Sequence, residues 1–88
     1  MKLIVLKKSN CMPCSMVERF LQGKLDGINH EILSVEEPEG MEVAGMYGVM
    51  QVPVLIALDD NGVIIEKVGG YNPEAIDGIL SRFGVDNG

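Results

Sequence analysis

The chain has 88 residues, 47% of them hydrophobic, a length that admits one domain with one small core and excludes repeat and multidomain architectures. Seven Lys/Arg against thirteen Asp/Glu leave a net charge of −6, which argues against nucleic acid as the partner because a phosphate backbone would be repelled. The two cysteines, Cys11 and Cys14, are too few for the multi-bridge framework that supports small secreted domains.

Residues 3–6 form a continuous apolar run of strand length before Lys7 and Lys8. Such a run marks a central strand covered on both faces, and it is too short for a signal-peptide core or a membrane span. The expected setting is therefore the cytoplasm, with no membrane partner and a monomeric state. Ser9 and Asn10 read as cap-forming residues ahead of a helix over residues 11–22, in which Met16, Val17, Phe20 and Leu21 pair at i, i+4 before Gly23. Asp26-Gly27 makes a turn, and residues 30–35 read as a peripheral strand edged by polar side chains.

Pro38 suits a helix start, but Gly40 and Gly45 each cost about 1 kcal/mol inside a helix, so residues 38–47 are expected to form a short, poorly regular one. Residues 53–58 and 63–68 flank Asp59-Asp60-Asn61-Gly62 and read as an antiparallel hairpin, Asn-Gly being the strong turn signal. After Gly69-Gly70, Asn72 caps a last helix that starts at Pro73. It carries Ile76, Ile79, Leu80 and Phe83 on one face and stops at Gly84. The order β-α-β-α-β-β-α is an α/β pattern: a parallel crossover followed by a hairpin, giving a mixed four-stranded sheet flanked by helices on both faces.

Cys11-Met12-Pro13-Cys14 directly follows the buried strand and opens the first helix. A disulfide over so short a loop adds little stability, so the pair is better placed for chemistry than for stapling. At a helix N-terminus, free backbone N–H groups and the macrodipole stabilise a thiolate, and a CxxC thiol there falls to a pKa of about 7 or lower. Cys11, at the open end, is the nucleophile. Cys14, one turn in, is the resolving thiol that attacks the mixed disulfide. Pro13 stiffens the loop at little cost, because its missing N–H would be unpaired anyway. The alternative, a structural metal site, needs four N/S ligands, so zinc or an iron–sulfur cluster would have to be shared across a dimer. No cofactor is called for by the dithiol itself.

Three segments carry a family resemblance: Cys11-Met12-Pro13-Cys14 after the first strand, residues 47–55 reading Tyr-Gly-Val-Met-Gln-Val-Pro-Val-Leu, and Val68-Gly69-Gly70 before the final helix. In this order and spacing the chain resembles the thioredoxin/glutaredoxin superfamily over about residues 3–83. The resemblance implies the thioredoxin fold, a cis-proline at Pro53 facing the cysteines, and a Val52 backbone that pairs with an extended substrate segment. It also implies that the chain reduces disulfide-containing proteins and is itself reduced by a thioredoxin reductase or by glutathione.

If the third strand runs antiparallel beside the first, Cys11, Pro53 and Gly69-Gly70 share one sheet edge, where glycines let a substrate backbone approach closely. The size and Lys8, three residues before Cys11, resemble glutaredoxins and the small hydrogen donors of ribonucleotide reductase, whereas Cys-x-Pro-Cys, Tyr47-Gly48-Val49 and the longer hairpin resemble thioredoxins. The chain departs from thioredoxins in carrying Asn10 and Val5 where they have a tryptophan and a buried aspartate, so no internal general base is evident. It departs from glutathione-binding members in having Tyr71-Asn72-Pro73 after the glycines.

Lys8 is a candidate for lowering the Cys11 pKa by charge proximity, set against a simply solvated lysine. Met12 and Met50 are candidates for a soft apolar rim around the thiol, set against core filling. A third reading, a non-catalytic docking module on the same fold, is separated from the enzyme by thiol reactivity. His30 is read as structural or exposed, Tyr47 as packed rather than catalytic, and Glu36, Glu37, Glu39 and Glu42 as a solvated face.

Overall fold

The computed structural model describes residues 1–84. Its elements are β1 (Lys2–Lys7), α1 (Met12–Leu21), β2 (His30–Ser34), α2 (Pro38–Met46), β3 (Val54–Leu58), β4 (Ile64–Gly69) and α3 (Pro73–Ser81). The sheet order is β2-β1-β3-β4, with β1 parallel to β2 and antiparallel to β3, and β4 antiparallel to β3.

The apolar run of β1 alternates between two cores because successive side chains point to opposite faces. Leu3 and Val5 pack with Leu55 and Ala57 under α1 and α3, alongside Val17, Leu21, Ile76, Ile79 and Leu80. Ile4 and Leu6 pack with Val54, Ile56 and Leu58 under α2, alongside Val43, Ala44 and Tyr47. Helices thus cover both faces, as the β1 composition requires. The hairpin turn closes on Asp59, whose Oδ1 accepts the N–H groups of Asn61 at 2.8 Å and Val63 at 2.9 Å, with Gly62 at φ 79°.

Three local expectations are corrected. α2 is a regular nine-residue helix rather than a poorly regular one. Its Gly40 is buried against the end of β2, where a Cβ would stand 1.9 Å from Ser34 O, so this glycine serves close packing instead of weakening the helix. The cap of α1 is neither Ser9 nor Asn10 but Cys11, because Asn10 takes φ 52° and turns the chain so that the Cys11 sulfur accepts the Cys14 N–H. Finally, the stripe that α1 buries is Cys14, Val17 and Leu21, which leaves Met16 exposed and Phe20 at the margin of the core.

α3 follows its sequence pattern closely. Asn72 Oδ1 accepts the Ala75 N–H at 3.2 Å, Pro73 occupies the first turn, and Ile76, Ile79 and Leu80 are buried. Phe83 packs against the same core from beyond the helix end, where Gly84 has φ 83°.

Candidate active site

The sheet register builds the site. Leu6 of β1 lies opposite Val54 of β3, which lies opposite Gly69 of β4. One row across the sheet therefore ends where three segments emerge: the Lys8-Ser9-Asn10 turn into Cys11, the Val52-Pro53 entry to β3, and the Gly69-Gly70 exit from β4. The Val52–Pro53 peptide bond is cis, and Pro53 O accepts the Gly70 N–H at 2.9 Å, which ties the second and third segments together.

Cys11 and Cys14 form a disulfide with Cα atoms 5.2 Å apart. Cys11 is half-buried at the N-cap, and its Sγ accepts the Cys14 N–H at 3.2 Å. Cys14 is 1% exposed within the first turn. The two sulfurs thus have unequal access, and the donor that would steady a thiolate on Cys11 is already aimed at it. Val5 is 0% exposed within the apolar core, which offers no carboxylate there to deprotonate Cys14.

The turn before Cys11 is held by a residue that sequence reading assigned to a solvated face. Glu36 is exposed, as are Glu37, Glu39 and Glu42, but its carboxylate accepts both the Ser9 N–H and the Ser9 hydroxyl, each at 2.8 Å. The Ser9 backbone N–H is the main cause, and its hydroxyl the next, of a Glu36 pKa held below the ordinary carboxylate value. Val35 N–H donates to Lys7 O at 2.9 Å, so the chain after β2 forms a strap across the turn. No local signal in the sequence marks this contact, because Ser9 and Glu36 meet only once β1 and β2 pair.

Lys8 is exposed and lines an open groove of about 410 Å³ with Val35, Ala44, Val49, Met50, Gln51 and Val52. Its charge also acts on Glu36, so part of its field is already compensated. Met12 is 74% and Met50 93% exposed, which rules out core filling for both, and Pro13 is exposed between the cysteines. Tyr47 packs in the α2-side core and donates its hydroxyl to Gly62 O at 3.3 Å, a structural role. His30 is structural too, with its ring Nδ1 2.7 Å from Ile28 O. Among the described residues no group of three or more His, Cys, Asp or Glu is placed to hold a metal ion.

A disulfide-bonded CxxC pair at a helix N-terminus, beside Pro53 and a glycine pair on one sheet edge, defines the class: a thiol–disulfide oxidoreductase. No family model matches the chain. It is 38% identical over 82 residues to the SPbeta prophage-derived thioredoxin-like protein YosR of Bacillus subtilis, covering 93% of this chain and 98% of that one. It is 35% identical to Bacillus subtilis thioredoxin over 82% of this chain and 71% of that protein.

Among solved structures, thioredoxin 1 from Thermosipho africanus superposes with a TM-score of 0.77 at 21% identity, covering 94% of this chain and 93% of that one. The glutaredoxin-like protein NrdH-redoxin from Escherichia coli superposes with a TM-score of 0.63 at 25% identity, covering 90% and 95%. The chain belongs to the thioredoxin family, and its fold is the thioredoxin fold. Disulfide substrates and a reductase partner follow in general from that membership.

Proposed function

We propose that the chain is a cytoplasmic monomer that reduces protein disulfides, with Cys11 attacking and Cys14 resolving. The observation that carries this is the asymmetry of the pair: Cys11 sits half-buried at the N-cap, its sulfur accepting the Cys14 N–H at 3.2 Å, while Cys14 is 1% exposed. The Cys11 thiolate attacks one sulfur of the substrate disulfide and the other leaves as a thiolate. Cys14, once deprotonated, attacks the Cys11 sulfur and expels the second substrate thiolate. The two electrons pass to the substrate, which leaves as two thiolates, and the Cys11–Cys14 pair stays oxidised as a disulfide until a reductant returns two electrons.

Among the described residues no acid or base lies in the apolar core beside the pair, so the Cys14 proton leaves to water or to the departing substrate thiolate. Val52 and Pro53 align an extended substrate backbone, Gly69 and Gly70 let it approach, and Met12, Pro13 and Met50 contact its side chains. Lys8 adds positive potential on the Cys11 side.

For the reductant, a thioredoxin reductase is preferred over glutathione. The residue after Gly70-Tyr71, Asn72, spends its side-chain oxygen capping α3 through the Ala75 N–H. That oxygen is therefore not free to accept a hydrogen bond from a small cationic group beside the glycine pair. The second reading, a glutathione-linked hydrogen donor such as one serving ribonucleotide reductase, rests on Lys8 lining a groove with Val52. Insulin reduction coupled in turn to NADPH with thioredoxin reductase and to NADPH with glutathione reductase and glutathione separates the two. Turnover with the first and not the second supports the preferred reading. The reverse result overturns it.

A further inference from the structure

The outer face of α1 is more apolar than catalysis at Cys11 requires. Met16, Phe20 and Tyr71, with Arg19 at the rim, line a recess of about 280 Å³. Met16 is 39% and Tyr71 38% exposed, and Phe20 meets Tyr71 edge to face with ring centroids 6.4 Å apart. Tyr71 directly follows Gly70, and Met16 lies one turn beyond Met12, so the recess continues the catalytic edge along the helix. Two cations stand here in a chain of net charge −6. Lys24 is committed, its Nζ 3.6 Å from Asp77 Oδ1 and 3.6 Å from the Phe20 ring centroid. Arg19 is exposed and makes no ion pair among the described residues.

We propose that this recess is a specificity pocket for the protein that exchanges with Cys11, taking a bulky apolar side chain that stands next to a carboxylate. The apolar group fills the space between Met16, Phe20 and Tyr71, and Arg19 pairs with the acidic neighbour. The recess centre lies about 10 Å down the helix from Cys11 at 1.5 Å per residue, a reach of about three extended residues from the reacting cysteine. The inference rests on the thiol–disulfide reading of the site and adds to it which protein segments are reduced fastest.

The test uses the reduced wild-type chain and symmetrical disulfide dimers of three cysteine peptides. Each peptide carries Leu-Glu, Leu-Lys or Ala-Glu about three residues after the cysteine, and a second set of three carries the same pair about three residues before it. In each exchange Cys11 forms a mixed disulfide with one peptide and releases the other as its thiolate. Cys14 then frees the bound peptide as Cys11–Cys14 closes. Loss of dimer is followed by chromatography. The Leu-Glu dimer should react with a second-order rate constant about tenfold above both others, the discrimination a leucine-sized pocket gives.

Arg19→Glu should invert the Glu-over-Lys order, and Tyr71→Ser should erase the Leu-over-Ala preference. Each comparison lies within one protein, so a loss of stability does not mimic it. Equal rates for the three dimers on the wild-type chain, or an unchanged order in Arg19→Glu, overturns the pocket. Bis(2-hydroxyethyl) disulfide serves as the control: reduction of it without peptide discrimination overturns the pocket alone, and failure to reduce any disulfide overturns the catalytic reading with it.

Discussion

Two glycines of the same helix should respond oppositely to alanine. In Gly40→Ala the new Cβ would stand 1.9 Å from Ser34 O, 2.5 Å from Ser34 C and 3.1 Å from Val35 N, all backbone atoms. Backbone cannot rotate aside, so α2 must recede from the end of β2 by more than an ångström. Overpacking of this kind costs about 1–3 kcal/mol, and a rigid neighbour places it at the upper end. The gain in helix propensity returns about 1 kcal/mol, which leaves a net loss of about 2 kcal/mol.

For a domain of this size that lowers Tm by about 10 °C. Gly45→Ala meets nothing within 4 Å, so only the propensity gain remains, and Tm should rise by a few degrees, about 0.5–1 kcal/mol. Thermal unfolding followed by far-UV circular dichroism reads both. A Gly40→Ala protein as stable as its parent would refute the close-packing account of α2.

Leu55→Ala, at a fully buried position whose register partners are Val5 and Val68, should cost about 2–5 kcal/mol by urea unfolding. Tyr47→Phe should lose about 0.5–1 kcal/mol through the Gly62 hydrogen bond and leave insulin reduction unchanged. The Glu36 strap predicts a pH signature. Its folded pKa lies below the ordinary carboxylate value of 4.5, so its contribution is complete above that pH and is lost as pH falls through the folded value. The difference in urea midpoint between the parent and Glu36→Gln should therefore shrink on acidification below about pH 4.5. A difference constant with pH contradicts the strap.

The parts of the fold that could be read in the sequence are those set by local pattern. Leu3 to Leu6 are apolar on both faces, and β1 is central with cores on both sides. Asn72 and Pro73 mark the start of α3 because cap and first-turn chemistry are local. The misread parts depend on neighbours distant in sequence. Gly40 looks like a helix breaker until the end of β2 lies against it, and Glu36 looks solvated until Ser9 arrives beside it.

The same holds for the site. The order of the three motifs placed Cys11, Pro53 and Gly69-Gly70 at one edge, since antiparallel pairing of β1 with β3 follows from the hairpin and crossover. The recess at Met16, Phe20 and Tyr71 escaped notice because i, i+4 spacing assigned Met16 and Phe20 to the buried stripe. The helix instead rotates so that Cys14, Val17 and Leu21 face the core.

The central claim is that Cys11 attacks and Cys14 resolves. Trapping tests it most directly: the Cys11→Ser and Cys14→Ser chains, each reduced and then incubated with insulin, are separated on a non-reducing gel. The account predicts an insulin adduct on Cys14→Ser, cleared by dithiothreitol, and none on Cys11→Ser. An adduct on Cys11→Ser, or insulin reduction that survives that substitution, would contradict it.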